Sequence, residues 1–387
     1  MGFRMTQEQR DLQLMVRNFM EKEVKPVIGG FDERSECPID LVRESMDLGF
    51  HQIIFPEEYG GLGMGLRSWL IAMTEMCKVD SGFGTMLNPL GLEVVMLAGN
   101  EEQKRRASEI LLKNNGISAF CLTEPNAGSD SSGQQTTAVR DGDNYIINGS
   151  KIFITAGAYA DLFIVIAVTD KSKGPKGISA FMVEKGTPGL VIGKEEHKIG
   201  LRTSNTVELS FQDMVVSKKN LLGEEGLGFI TAMKGLDFGR LSVACMGLGI
   251  SERCLEECVA YANQRKCFGQ TIGNFQSIQF MLADMAKKIE ASRQLIDYAI
   301  TLYEEGKPYG VAASYAKCFA TDSAMEIATD AVQIFGGYGT STEYPIEKLM
   351  RDAKLAQIVE GTNQIQRQII GKSLLKGFSM DDYILID

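Results

Sequence analysis

The spacing of apolar residues changes period twice along this 387-residue chain, and that change constrains the fold more than any other feature of it. From about Gln7 to Asn114 apolar residues recur at helical spacing, as in Leu12, Met15, Val16, Phe19 and Met20. From about Gly116 to Asn220 the period is two. Ile147, Lys151, Phe153 and Thr155 share one strand-like stretch, Phe163 to Val168 reads as a buried strand, and Ile178 to Val183 and Val207 to Phe211 look similar. Turn signals at Asp141-Gly142-Asp143, Asn148-Gly149 and Lys173-Gly174-Pro175 separate them. Strands follow strands with no helix between, which predicts an antiparallel β unit and not a Rossmann domain. From about Gly226 to Gly371 the helical period returns, with segments near 227–262, 275–305, 309–335 and 353–371 long enough for a four-helix bundle. The expected fold class is α+β in three domains: helical over 1–115, a β-barrel or β-sandwich over 116–222, and a four-helix bundle over 223–387.

Composition removes several functions. Forty Lys and Arg against fifty Asp and Glu give a net charge of −10, which argues against a surface that tracks nucleic-acid phosphates. No run of about eighteen apolar residues escapes interruption by charge, so no membrane span is expected. The two histidines, His51 and His197, are too few for a multi-histidine metal centre, and neither sits in a nucleophile context. The eight cysteines lack zinc-site spacing. Cys254 and Cys258, four apart on a helical pattern, read as packed thiols of a reducing cytoplasm, and no metal is expected. Gly2 with Thr6 matches the loose myristoylation pattern, but no basic cluster supports it. The glycines of Tyr59-Gly60-Gly61-Leu62-Gly63-Met64-Gly65 lack the strand-turn-helix context of a dinucleotide fingerprint and read as a connection.

Chemistry enters with four runs. Phe120-Cys121-Leu122-Thr123-Glu124-Pro125-Asn126-Ala127-Gly128-Ser129-Asp130 resembles the first signature of the acyl-CoA dehydrogenases. Gln333-Ile334-Phe335-Gly336-Gly337-Tyr338-Gly339, continuing through Glu343-Tyr344-Pro345 to Arg351-Asp352-Ala353-Lys354, resembles the second. Arg265-Lys266-Cys267-Phe268-Gly269 is similar to that family's Arg-x-x-Phe-Gly element, and Glu360-Gly361-Thr362 to its Glu-Gly-Thr motif. The similarity spans essentially the whole chain, with a short- and medium-chain flavour.

The resemblance implies one FAD clasped by two subunits, hence a homotetramer built as a dimer of dimers. Phe120, Leu122, Thr123, Ser129, Phe153, Thr155, Thr362 and Gln364 are expected to contact the flavin from one chain. Arg265, Phe268, Gln276, Gln333 and Gly337 are expected to reach the adenine and pyrophosphate of a neighbour's. A guanidinium at 265 suits a phosphate, which it grips bidentately. Gly336-Gly337 suits either close backbone approach or a helix end. Cys267 stands where the family often has a hydroxyl. Asp237 and Arg240, spaced i, i+3, share a helix face; with Ser129 and Gly361 they are the implied acyl-CoA-binding residues.

The implied reaction is α,β-dehydrogenation of an acyl-CoA thioester, as in β-oxidation. Glu360 takes the α-proton, the β-hydride goes to flavin N5, and electrons pass to an electron-transferring flavoprotein. Members that carry the base on the long helix do so at the position of Gly239, which cannot serve, and this favours Glu360. Val359 replaces a tyrosine common before the glutamate and suggests room for a branched or cyclic acyl group. The arginine of glutaryl-type enzymes aligns with Gly84, which disfavours a dicarboxylate. An enoyl-CoA reductase or acyl-CoA oxidase of the same fold, and a noncatalytic CoA-binding scaffold, are the competing readings.

Overall fold

The structure is a computed structural model and describes residues 5–377, so the myristoylation pattern at Gly2 lies outside the described residues. It divides into two compact units, Met5–Gly239 and the residues from Arg240 onward.

The first unit opens with helices α1 (Gln7–Phe19), α2 (Lys25–Arg34), α3 (Ile39–Asp47), α4 (Gly65–Val79), α5 (Ser81–Met86), α6 (Leu90–Ala98) and α7 (Glu101–Ser108). A capping box starts α1: Thr6 accepts from the Gln9 N–H, and the Gln9 side chain returns to the Thr6 N–H. Leu12, Val16 and Phe19 then fall on one buried stripe, where Phe19 meets Phe50 edge-to-face with centroids 5.5 Å apart. The glycine loop before α4 is a tight connection, as its context predicts. A Cβ on Gly61 would lie 2.0 Å from the Phe55 carbonyl oxygen.

Strands β1 (Ser118–Cys121), β2 (Thr137–Asp141), β3 (Asn144–Thr155), β4 (Leu162–Val168), β5 (Ile178–Glu184), β6 (Leu190–Glu195), β7 (Thr206–Ser217) and β8 (Leu221–Leu222) form one sheet. Its order is β6-β7-β3-β2-β4-β5-β8, with β1 beside β4. The sheet is mostly antiparallel, as expected, but β1 and β2 each run parallel to β4. Alternation puts Ala119, Cys121, Tyr145, Ile147, Phe163, Val165, Phe181 and Phe211 in one core. The Gly142 signal does turn the chain between β2 and β3, where Asp141 pairs with Asn144. The Asn148-Gly149 signal does not. It falls inside β3 at a shift of register against β7, and a Cβ on Gly149 would sit 2.6 Å from Thr136 Oγ1. Here glycine marks a close approach within a bulge.

Helix α8 (Gly228–Gln264) starts in the first unit and ends in the second. The second unit continues through a hairpin, β9 (Lys266–Cys267) and β10 (Gln270–Thr271), then α9 (Gln276–Glu304), α10 (Gly310–Phe335), α11 (Ile346–Ala356) and α12 (Asn363–Leu374). α10 is buried along Ala312, Ala313, Ala316, Ala320, Ala324, Ala328 and Ala331, side chains small enough to let neighbours come close. A Cβ on Gly247 of α8 would lie 2.9 Å from the Ala320 carbonyl oxygen. The helix expected near 353–371 is broken into α11 and α12, because Glu360 and Gly361 take left-handed backbone at φ 53° and 88°. Among the described residues no helix is long and apolar enough to cross a membrane.

Candidate active site

That break is where the second unit concentrates its buried polar groups. Left-handed backbone costs a non-glycine residue about 1–2 kcal/mol, so Glu360 needs its neighbours to hold it there. They do. Lys317 of α10 is fully buried, and its Nζ donates to the Gly361 carbonyl at 2.9 Å and to Asn363 Oδ1 at 2.8 Å. Gln366 Nε2, on α12, donates to the same Gly361 carbonyl at 2.9 Å and to the Glu360 carbonyl at 3.4 Å. Asn363 Nδ2 donates to Thr321 Oγ1 and to Asp322 Oδ1, which also accepts from Gln357 Nε2. Thr362 caps α12, its Oγ1 accepting from the Ile365 N–H at 3.3 Å. Both flanks of the turn are thereby tied to one face of α10.

Glu360 as a residue is half-buried. Burial pushes its carboxyl up to about 7, against the charges of Arg240 and Lys317, which favour the carboxylate. Burial likewise pulls Lys317 down to about 7, opposed by Cys318, Glu360 and Asp322. A carboxyl so placed accepts a proton near neutral pH. The Glu360 N–H has no acceptor among the described residues, so a backbone donor is available beside this carboxyl.

The first unit assembles a second set. Phe120 lies near the end of β1 and Leu122 just follows it, and the Thr123 carbonyl accepts from the Ile152 N–H at 2.9 Å, tying the loop to β3. Under that loop Lys151, fully buried, donates to the Leu122 carbonyl, Glu124 Oε1 and Gln134 Oε1, each within 2.9 Å. Glu124 accepts in turn from the Gln135 and Thr136 N–H groups. Burial alone would raise Glu124, but the Lys151 charge and these donors hold its carboxyl below the usual range. Ser129 is exposed beyond the clamp and Thr155 is half-buried. Simple alternation fails at Phe153. A register shift between Lys151 and Ile154 leaves two residues between buried positions, and Phe153 turns left-handed at φ 58° and is 59% exposed. The bulge aims an aromatic plate away from the core.

A third set lies at one end of α8, α9 and α10. Arg265 follows α8, with its guanidinium carbon 5.4 Å from the Tyr338 ring centroid. Tyr338 belongs to an aromatic cluster in which Tyr261 stacks on Phe335 at 4.1 Å and Tyr344 meets both. Phe268 and Gly269 turn the β9–β10 hairpin, both at positive φ. Phe268 is 91% exposed and meets Phe275, beside exposed Gln276, edge-on. Gln333 and Gly337 are exposed too. Of the two readings of Gly336-Gly337, Gly336 is a helix end: at φ 62° it caps α10. A Cβ on Gly337 would meet open space.

On α8, Asp237 is half-buried and Arg240 buried. Gln364 is exposed on α12. Burial holds the Cys254 thiol well above its usual range and pushes Cys258 up to about 12, so both stay protonated. Sequence reasoning singled out Glu360 but missed Lys317, Asn363, Gln366 and the Lys151–Glu124 pair. The one available signal was a charged residue within an otherwise apolar pattern at 151 and 317.

Family models agree with this arrangement along the chain. The acyl-CoA dehydrogenase N-terminal domain matches residues 6–114, the middle domain 119–214 and the C-terminal domain 226–375. A short-chain-specific acyl-CoA dehydrogenase of Clostridium acetobutylicum is 46% identical over 379 residues, covering 97% of this chain and all of the relative. The structure of butyryl-CoA dehydrogenase from Megasphaera elsdenii matches with a TM-score of 0.95 at 46% identity, covering 97% of this chain and 100% of that one. A chain of the structure described as the electron-transferring flavoprotein of Acidaminococcus fermentans matches with a TM-score of 0.95 at 49% identity, over 97% and 100%. This chain belongs to the acyl-CoA dehydrogenase family, flavoprotein oxidoreductases that act on CH–CH bonds.

Proposed function

We propose that the protein dehydrogenates a short-chain acyl-CoA between its α- and β-carbons, with Glu360 as the base, and passes the electrons to an electron-transferring flavoprotein. The observation that carries this reading is a carboxyl at about 7 on a half-buried residue, held in a strained turn beside an unpaired backbone N–H. Proton loss next to a thioester builds negative charge on its carbonyl oxygen, and a donor fixed in advance at that oxygen lowers the barrier. Glu360 supplies the base through its side chain and the donor through its main chain.

FAD supplies the two-electron acceptor when bound. The residues present suit it: exposed Phe153 on a bulge, the clamped 120–130 loop with its free polar groups, and Arg265 oriented by Tyr338 for a pyrophosphate. Phe120, Leu122, Thr123, Ser129, Thr155, Thr362 and Gln364 complete one side. Phe268, Gln276, Gln333 and Gly337, all exposed, suit a cofactor held by a second copy in a homotetramer. Asp237, Arg240, Ser129 and Gly361 are assigned to acyl-CoA.

A small unbranched or branched acyl group fits better than a dicarboxylate. Gly84 stands where glutaryl-type members carry an arginine, so this position supplies no cation for a second carboxylate, and a Cβ there would stand 3.0 Å from Cys77 Sγ and 3.3 Å from Met73 Sδ. The short-chain relatives support the same substrate class. The test is anaerobic bleaching of the flavin by a panel of linear, branched and cyclic acyl-CoAs. Glu360→Gln is expected to slow bleaching by about 10²–10⁴-fold. An undiminished rate overturns the assignment, and rapid recolouring in air marks an oxidase instead.

A further inference from the structure

A fully buried lysine of α10 lies against the turn that carries Glu360, and the proposed proton transfer does not itself use it. We infer that Lys317 is a positioning residue: its ammonium fixes the Gly361 carbonyl and Asn363, and through them the left-handed turn that presents Glu360. This rests on the reading of Glu360 as the base.

Three observations converge. Lys317 is 0% exposed, and both of its acceptors flank the turn, at 2.9 Å on Gly361 and 2.8 Å on Asn363. A lysine is rarely buried completely unless paired with good acceptors, so its place under a strained segment has a structural use. The Gly361 carbonyl also takes Gln366, and Asn363 ties Thr321 and Asp322, so α10 and α12 grip the turn from both sides. The charge acts as well as the hydrogen bonds. The groups acting on Glu360 are Arg240 of α8 and Lys317 of α10, both favouring the carboxylate. Those acting on Lys317 are Cys318 and Asp322 of its own helix, Glu360 and Arg240. Arg367 of α12 is paired with Asp322.

Removing the charge therefore has two effects that a purely structural contact would not combine. In Lys317→Met the turn loosens and the carboxyl loses a cation. Amide hydrogen exchange across residues 357–366 should quicken, kcat for flavin bleaching by butyryl-CoA should fall about 10²-fold with KM nearly unchanged, and the acid limb of the rate should move to higher pH. Lys317→Arg keeps a cation there at every pH and should not move that limb to higher pH. Unchanged exchange across 357–366, or a lower rate with an unmoved limb, overturns the inference. If Lys317→Met does not fold, Asn363→Ala removes one anchor and spares the cation. It should speed exchange and lower kcat without moving the limb, and wild-type exchange would overturn the inference equally. The exchange arm needs no turnover, so it still reads out if no acyl-CoA bleaches the wild-type protein, the result that would instead defeat the proposed function.

Discussion

Gly361→Ala tests the turn at its tightest point. At φ 88° an added side chain is strained by about 1–2 kcal/mol. The new Cβ would also stand 2.8 Å from Gln366 Nε2 and 3.8 Å from Ile365 Cγ2. The first contact is the tip of a flexible side chain, but Gln366 is fully buried and its amide holds the carbonyls of Glu360 and Gly361. Displacing it gives up two hydrogen bonds at about 1 kcal/mol each. The turn then carries about 3–4 kcal/mol, and at about 1.4 kcal/mol per decade the chemical step should slow 10²–10³-fold. Stopped-flow bleaching of the flavin under anaerobic conditions reads this directly, with KM expected to move little. Gly371→Ala is the control: it lies on α12, where a Cβ meets nothing within 4 Å, and it should leave the rate alone. A Gly361→Ala rate within threefold of wild type refutes the claim that this backbone places the base.

Other outcomes follow from the same geometry. If Glu360 is the base, as proposed, it must be deprotonated to accept the α-proton, and since its carboxyl is pushed up to about 7, kcat/KM should rise with pH through that region; a rate flat from pH 5 to 8 contradicts this. Lys151→Met leaves Glu124 buried without its cation and should cost about 3–5 kcal/mol of stability, seen as a lower thermal transition; an unmoved melt would show the pair to be dispensable. Arg265→Leu should lower the flavin absorbance retained per chain after dilution, with the melt of the flavin-free protein unchanged. Full retention would remove Arg265 from the cofactor site.

The periodicities were enough to order the helical, β and helical blocks and to locate β3, β4, β5, β7 and the long helices α8, α9 and α10, because burial on one face leaves a pattern of 3.6 or 2 in the sequence. They failed where the chain departs from regular backbone. Asn148-Gly149 reads as a turn, since that dipeptide favours hairpins, but the space beside Thr136 makes it a bulge in a continuous strand. The apolar pattern near 353–371 runs on as one helix in sequence, while the structure interrupts it at Glu360. Lys317 and Asn363 stand 46 residues apart and meet only through packing, so no local pattern announces them. Glu360 could be singled out because its motif is local, whereas the residues that hold its turn could not.

Backbone strain ties these failures to function. Eight non-glycine residues among those described have positive φ, and three of them, Phe153, Phe268 and Glu360, were assigned to the site from sequence resemblance alone. Asn115 and Asp213 are residue types that visit this conformation easily, so they need no special account. A phenylalanine or a glutamate there persists only if its surroundings over-determine it. For Glu360 the determinants are Lys317, Gln366 and the Asn363 network. For Phe153 it is the β3 bulge between Lys151 and Ile154, whose side chains are both buried. For Phe268 it is the two-residue hairpin, in which Gly269 shares the left-handed conformation. In all three, strain turns a side chain out of the regular pattern and leaves it at least partly free of the core, which a residue facing a cofactor or substrate requires. Replacing Phe268 by glycine should relieve strain while removing the ring, so the hairpin should lose flavin retention without losing stability; a variant that melts lower and keeps its flavin would break the link between strain and function at that position.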